Sequence, residues 1–407
     1  MGPGGALRVL IAGGGVAGLE ALLALRHLAG SRARIELVAP ERDFSYRPLA
    51  VGEEFGHGRV LRFDLASLVS EQGARFRPDA LVGIDPDRGR IRTRAGDEIS
   101  YDALVISSGA RYVEPLPGAI TFWGSGDDFL RPALHRLADA GHGRIAFAVP
   151  TGTGWPMPAY ELALLARLDL ASREADVDVA IVTPEAAPLE AFGTRASDLV
   201  ARLLERRGIS ILCGRHPAAV APSGLTLVPS ERLAADCVVT LPRPAGRPIE
   251  GLPQDQHDFI PIDTHGRVPG LKGVYAAGDA TAFPVKQGGI AAQQADAVAE
   301  SIAAEAGARV EPRPFRPVLR GMLLTGGEPA FLRAAVSGGR GYTSLAATHP
   351  LWWPPGKIAG KYLAPHLAAL AGVELRPPPP IEGESIVIDS AVGETSRSQK
   401  GGTRAAG

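Results

Sequence analysis

Gly13, Gly15 and Gly18 stand at the spacing that a nucleotide diphosphate needs. They follow the apolar run Leu7-Arg8-Val9-Leu10-Ile11-Ala12 and lead into an apolar, helix-forming stretch over residues 19–28. In such a strand–turn–helix unit the first glycine permits the tight turn, the second lets backbone approach a pyrophosphate, and the third allows close helix–strand packing. The helix opening at Val16 and Ala17 aims its unpaired N–H groups and positive dipole end at the diphosphate. An acid that holds a ribose usually follows about 20 residues on. Ala39 occupies its place here, and Glu41 is the substitute candidate, set against an ordinary turn residue.

Far downstream, Gly273-Val274-Tyr275-Ala276-Ala277-Gly278-Asp279-Ala280 reads as a buried strand ending in an acid. Doubly wound sheets bind ligands at that carboxyl edge, where Asp279 can accept hydrogen bonds from ribityl hydroxyls. Pro284-Val285-Lys286-Gln287-Gly288-Gly289 then begins a helix, and Lys286 is one of only five lysines in the chain. That charge and the helix N-terminus suit the pyrimidine end of a flavin, where they would stabilise the reduced form and raise its potential. A ligand long enough to need both ends of the chain is FAD.

Between these ends lies Thr151-Gly152-Thr153-Gly154-Trp155-Pro156-Met157-Pro158-Ala159-Tyr160-Glu161. A nicotinamide-binding turn would carry glycines where Pro156 and Ala159 stand, and proline offers no N–H to a phosphate. NAD(P)H is therefore a candidate donor that meets an altered turn. Trp155 reads either as a stacking surface for a flat ring or as a wedge between domains. Glu161 reads either as a proton donor or as a helix-start acid.

The elements that must hold these residues follow from length and pattern. The 407 residues exceed one simple core, and 45% apolar with 21% charged residues is an ordinary globular balance. A net charge of −1 without a basic tract gives no sign of nucleic-acid binding. No histidine or cysteine cluster suggests a metal, and Cys213 and Cys237 read as inert core thiols without a local dithiol spacing. No secretory leader or bilayer-length apolar run stands out, so the expected place is cytoplasmic.

The alternation of strands and helices predicts an α/β fold with two Rossmann-like domains and a small cap. Strands are expected at 7–12, 34–38, 101–107, 144–149 and 177–182, and further helices at 159–168, 196–206 and 289–304. An FAD-binding domain is expected over 1–122, resuming at 255–312. An NAD(P)-binding-like domain is expected at 123–254, and a cap, membrane or dimer segment at 313–375. The tail at 376–407 opens with prolines and turns polar, so it is expected to stay out of the fold.

Phe44-Ser45-Tyr46-Arg47-Pro48-Leu49, Ile106-Ser107-Ser108-Gly109-Ala110, Val182-Thr183-Pro184-Glu185 and Gly278-Asp279 with Lys286-Gln287-Gly288 make the resemblance specific. The chain resembles the flavoproteins with two dinucleotide-binding domains of the three-layer β/β/α type. Within them it is similar to the branch of sulfide:quinone oxidoreductases, flavocytochrome c sulfide dehydrogenases and type II NADH dehydrogenases. The resemblance implies that Ser108, Gly109, Ala110, Gly278 and Gln287 lie against FAD. It also implies that Arg47 and Pro48 approach the flavin and that the Val82 backbone meets the adenine. Trp155-Pro156-Met157-Pro158-Ala159-Tyr160-Glu161 resembles the sulfide oxidisers' Cys-Pro-x-x-Pro-Tyr-Glu, with Trp155 in place of the thiol and the second proline displaced by one position. An indole cannot act as the sulfur nucleophile.

The expected activity is transfer of electrons from a small donor, NAD(P)H or another, through flavin to a quinone. Reduction of a soluble electron-carrier protein and a non-catalytic flavin-binding redox sensor stand as alternatives. Leu351-Trp352-Trp353-Pro354-Pro355 with Lys357 and Lys361 suits either peripheral contact with the inner face of the cell membrane, a cap over the flavin or a homodimer contact.

Overall fold

The run Leu7–Ala12 is apolar on successive residues because both faces of its strand are covered. The computed structural model describes residues 5–124, 130–336 and 342–373, and the tail from residue 376 lies outside the described residues. In chain order β1 (Leu7–Ala12), α1 (Val16–Ala29), β2 (Ala33–Val38), β3 (Arg75–Arg77) and β4 (Ala103–Ile106) come first. Then follow β5 (Ile120–Thr121), β6 (His142–Ala148), α2 (Met157–Ser172), β7 (Asp176–Val182), α3 (Thr194–Arg206), β8 (Ile209–Leu212) and β9 (Cys237–Thr240). The chain goes on through β10 (Val274–Ala276) and α4 (Gly288–Glu305).

β10 returns to the first sheet, whose order is β10-β4-β1-β2-β3. The second sheet is ordered β5-β9-β6-β7-β8. Both are parallel throughout, and the order reverses beside β1 in one and beside β6 in the other. Reversal leaves a crevice at the carboxyl ends of the strands, where such sheets bind ligands.

Each sheet is the middle of three layers. α1 and α4 cover one face of the first sheet through Ala21, Leu22, Leu25, Ala295, Val298 and Ile302. An antiparallel sheet of Leu81–Asp85, Arg90–Thr93 and Glu98–Ser100 covers the other, packing Ile84 and Ile91 on Leu10 and Leu104. The second sheet repeats the plan, with Leu225 and Leu227 of a small antiparallel sheet against Ala148, Val182 and Val238. Each fully buried leucine or isoleucine contributes about 1.5–3 kcal/mol relative to exposure. Helix α1 depends on Gly18, where an added Cβ would come 1.9 Å from the Gly13 carbonyl oxygen.

The segment after α4 holds a sheet of its own, β11 (Val318–Leu323), β12 (Ala330–Val336) and β13 (Tyr342–Ala347), all antiparallel. Its inner face sends Leu323, Leu332 and Ala334 into the core shared with α2 and Phe192. Trp352 lies edge-on to Phe331 of the outer face, with ring centroids 5.2 Å apart. The chain then passes Lys357 and ends its described part with α5 (Leu363–Leu370).

Several elements run longer than the sequence pattern gives. α2 runs Met157–Ser172 rather than 159–168 and α4 Gly288–Glu305 rather than 289–304, because residues at a helix end need helical backbone without apolar spacing. β8 ends at Leu212, so Cys213 sits just past the strand, and both cysteines are half-buried rather than core residues. Burial pushes the Cys213 thiol up and the Cys237 thiol up to about 11, which keeps both protonated at neutral pH.

Candidate active site

The carboxyl ends of both sheets open into a cleft of about 560 Å³ that also reaches the cap sheet. Its floor is the turn after β1. Gly13 has φ +130°, and a Cβ there would meet the Ser107 carbonyl oxygen at 2.2 Å, so the turn and the end of β4 lie in contact. Gly15 differs: a Cβ would find nothing within 4 Å, which means its backbone faces open cleft. Val16 and Ala17 line the cleft beside it at the start of α1, whose first turn carries no acid. Open space, unpaired N–H groups and a positive dipole end together make a cradle that a pyrophosphate fits and a side chain would fill.

The neighbouring turn adds Ser108, Gly109 and Ala110, all lining the cleft. Gly109 has φ +66° with open space around its missing Cβ. Ser108 Oγ is buried and has no hydrogen-bond partner among the described residues. A buried orphan hydroxyl beside an open cradle fits a polar ligand group.

At the other side Gly278 takes φ +79° and places Asp279 at the end of β10. Burial pushes the Asp279 carboxyl up from its ordinary value, opposed by Lys286 and by the Tyr112 hydroxyl, which donates to Oδ2 at 3.3 Å. Lys286 Nζ lies 3.7 Å from the Phe259 ring centroid and donates to the Thr281 carbonyl at 2.5 Å. Burial lowers its ammonium to about 8, with Asp279 and Asp255 acting the other way. Gln287 caps α4, accepting from Ile290 N at 3.0 Å, and donates to the Arg320 carbonyl of β11 at 2.9 Å.

The far end of the cleft is built from α2 and the cap. Glu161 is 1% exposed, and Lys357 Nζ donates to both its carboxylate oxygens at 2.6 Å. The Leu324 backbone N–H donates to Oε1 at 2.8 Å. Burial raises the Glu161 carboxyl, while Lys357 and the Leu324 amide pull it down. Trp155 also lines the cleft and meets Phe192 edge-on at 5.7 Å.

Of the residues singled out from sequence, Glu41, Arg47 and Pro48 line the same cleft. Val82 does not; its carbonyl accepts from Glu250 N at 3.3 Å, and Ala80, Leu81 and Arg94 line the cleft in its stead. Lys357 turns inward, leaving Trp353 and Lys361 as the exposed members of the tryptophan–lysine segment. Nothing in the sequence places Tyr112 or Arg320 at this cleft, and Lys357 is expected there only as part of a cap over the flavin. The scarcity of lysine was the one signal that pointed toward Lys357.

The middle turn is short of donors. Pro156 and Pro158 flank the start of α2, and Ala159 N is spent on the Pro156 carbonyl at 3.0 Å. Glu185, the acid after β7, accepts from Tyr160 Oη at 2.7 Å and Thr183 Oγ1 at 2.9 Å, so its Oε2 is satisfied internally.

Residues 7–300 match the family model described as pyridine nucleotide-disulphide oxidoreductase. The chain belongs to that family. Members are oxidoreductases of the FAD-dependent type. A NADH dehydrogenase-like protein of Mycobacterium tuberculosis is 30% identical to this chain over 292 residues, covering 68% of this chain and 73% of its own. A sulfide-quinone reductase of Aquifex aeolicus is 27% identical over 178 residues, or 41% and 40% of the two chains. The solved structure of the Aquifex aeolicus sulfide:quinone oxidoreductase superposes with a TM-score of 0.73 at 20% identity, covering 84% of this chain and 87% of that one, a likeness of fold. Among the described residues no helix is long and apolar enough to cross a membrane, and no group of acidic, histidine or cysteine side chains could hold a metal.

Proposed function

We propose that the protein is an FAD-dependent oxidoreductase that takes electrons from a small donor and passes them to a quinone. The observation that carries this reading is the single cleft joining the open Gly15 cradle at one end to the buried Glu161–Lys357 pair at the other. FAD, when bound, supplies the two-electron chemistry, and the protein supplies position, electrostatics and protons. Gly13, Gly15, Val16 and Ala17 would hold the diphosphate, with Gly18 packing α1 against the turn; Ser108, Gly109 and Ala110 would line the ring-bearing half. Asp279 would take ribityl hydroxyls, with Gly278 and Gln287 beside it. Arg47, Pro48, Glu41 and the backbone near Val82 would complete the contacts. Lys286 keeps positive charge in the cleft below pH 8 or so, the value its burial gives it.

Glu161 and Lys357 hold a proton in a place that water does not reach freely, ready for transfer to an oxygen that accepts electrons. Quinone oxygens need protons on reduction, whereas an iron–sulfur protein does not, which favours the quinone over a carrier protein. Trp155 offers a flat surface on the same wall. The shortage of N–H donors at α2 and the internal use of Glu185 favour a donor other than NAD(P)H. The similar NADH dehydrogenase-like protein keeps NADH as the first donor to try.

Anaerobic titration of the purified yellow protein with NADH, then NADPH, then other small reductants tests the reading, followed by addition of quinones. The expected result is slow or absent bleaching with nicotinamides, reduction by another donor, and rapid reoxidation by a quinone. Reoxidation by an iron–sulfur protein but by no quinone would move the protein to the carrier reductases. A bound flavin that no donor reduces would make it a sensor.

A further inference from the structure

Arg320 and Arg333 are paired directly across β11 and β12. Cross-strand partners share a face, and like charges in that position repel. The face is the outer one, since the alternating neighbours Leu319 and Leu332 enter the core. Among the described residues neither guanidinium donates a hydrogen bond or forms an ion pair. Other arginines on the surface do find carboxylates, as Arg313 does with Glu300 at 2.6 Å and Arg215 with Glu231 at 2.7 Å.

Arg320 is also half-buried and lines the cleft with Met322, Lys357 and Ile358. Burial lowers its affinity for the proton, and the charge of Arg333 adds to this. Asp296 acts the other way, yet its own carboxyl is pushed up to about 8 by burial and by Glu20, so it is mostly neutral at pH 7. A guanidinium cannot relieve the cost by losing its proton. Its place is fixed, because Gln287 at the cap of α4 holds the Arg320 carbonyl. Two guanidinium groups without an ion pair, Arg320 lining the cleft and Arg333 beside it on the same face of the sheet, are a seat for an anion.

We propose that Arg320 and Arg333 bind an anionic group of the acceptor, so that the preferred acceptor is a small aromatic ring carrying a sulfonate, carboxylate or phosphate. This rests on the reading of the cleft as a quinone site and adds the substrate class. Lys357, already paired with Glu161, is left for the reacting end, while the arginines hold the charged substituent at the entrance.

Isothermal titration of the oxidised, flavin-loaded protein with 1,4-naphthoquinone-2-sulfonate and with neutral 2-methyl-1,4-naphthoquinone tests this at low salt. The sulfonate is expected to bind at least tenfold more tightly. Arg320→Met and Arg333→Met should each reduce that preference at least fivefold and leave the neutral ring within twofold. Arg316→Gln, which removes an exposed arginine away from the cleft, should change neither. Equal affinity for the two rings, or a preference that survives both variants, overturns the anion seat and leaves the quinone reading standing. If neither ring binds, the quinone reading fails, and sulfate decides the seat separately. Sulfate stabilises proteins generally, so the readout is the difference in thermal midpoint shift between wild type and the Arg320→Met/Arg333→Met double variant. A larger shift in wild type supports the seat, and equal shifts overturn it.

Discussion

Glu161 and Lys357 lie 196 positions apart, yet Lys357 Nζ sits 2.6 Å from both carboxylate oxygens of Glu161. The pair joins α2 of the second sheet to the segment that follows the cap sheet, and it does so inside the cleft. It is thus a structural tie between the second domain and the cap. Both side chains are almost wholly out of solvent, at 8% and 1% exposure.

Removing one partner leaves the other as an uncompensated buried charge. Lys357→Met is expected to cost about 3–5 kcal/mol, the usual penalty for breaking a buried pair. Glu161→Gln in the same chain should recover much of it, because the remaining groups are then neutral. Urea unfolding of the two single variants and the double variant checks this. Additive losses would show that the two residues do not act as a pair.

Gly15 and Gly18 separate binding from folding. Gly15→Ala introduces a Cβ into open cleft at φ −82°, so stability should stay within about 1 kcal/mol. The same Cβ enters the cradle, and FAD affinity should fall at least about tenfold, equal to 1.4 kcal/mol. Gly18→Ala instead drives a Cβ to 1.9 Å from the Gly13 carbonyl and should lower the yield of folded protein. Flavin absorbance after reconstitution, set beside the thermal midpoint, distinguishes the two outcomes.

Local patterns define the two parallel sheets and the glycine turns at their carboxyl edges. The apolar run of β1, the glycine turn and the Gly278-Asp279 turn are each defined by residues within one strand–turn–helix unit, where spacing alone fixes which atoms face the carboxyl edge. The far side of the cleft has no such local rule. Lys357 meets Glu161 and Tyr112 meets Asp279 only because the chain returns over more than a hundred residues, and no periodicity records that return. The cap sheet was legible only as a segment. Its outer arginines depend on an antiparallel register that the sequence pattern leaves open, since a shift of one residue would send them to the other face. Val82 shows the same limit at smaller scale: a neighbour by resemblance, it faces Glu250 while Ala80 and Leu81 line the cleft.

Asp296 should set an acid-side dependence of stability. Burial and the adjacent Glu20 carboxyl push it from 3.8 up to about 8. The folded state therefore holds a proton that the unfolded chain releases above about 4. Stability from this group is present at low pH and is lost as pH rises from about 4 to 8. Glu20, also raised, accepts from Tyr362 N at 2.7 Å and Leu363 N at 2.8 Å and so anchors α5. Asp296→Asn should flatten the slope across this window and raise stability at pH 8 relative to wild type. Chemical denaturation at several pH values measures both, and an unchanged slope would count against the raised Asp296 carboxyl.

Lys286 should couple the flavin potential to pH on the alkaline side. Its ammonium is lowered from 10.5 to about 8 by burial, so it is charged at pH 7 and neutral by pH 10. A positive charge in the cleft favours added electrons, and Lys286→Met should lower the midpoint potential of bound flavin at pH 7 by about 30 mV, which equals about 1.4 kcal/mol for a two-electron couple. The gap between wild type and variant should close as pH rises through 8, because wild type then loses the charge that the variant never had. Stability runs the opposite way in wild type. The folded state binds fewer protons than the unfolded one between about 8 and 10.5, so wild type gains stability across that window and the variant does not. Potentiometric titration at pH 7 and pH 10 reads the first effect and urea unfolding reads the second. A potential gap that stays constant with pH would mean that the lysine acts by shape, through its contact with Phe259, and not by charge.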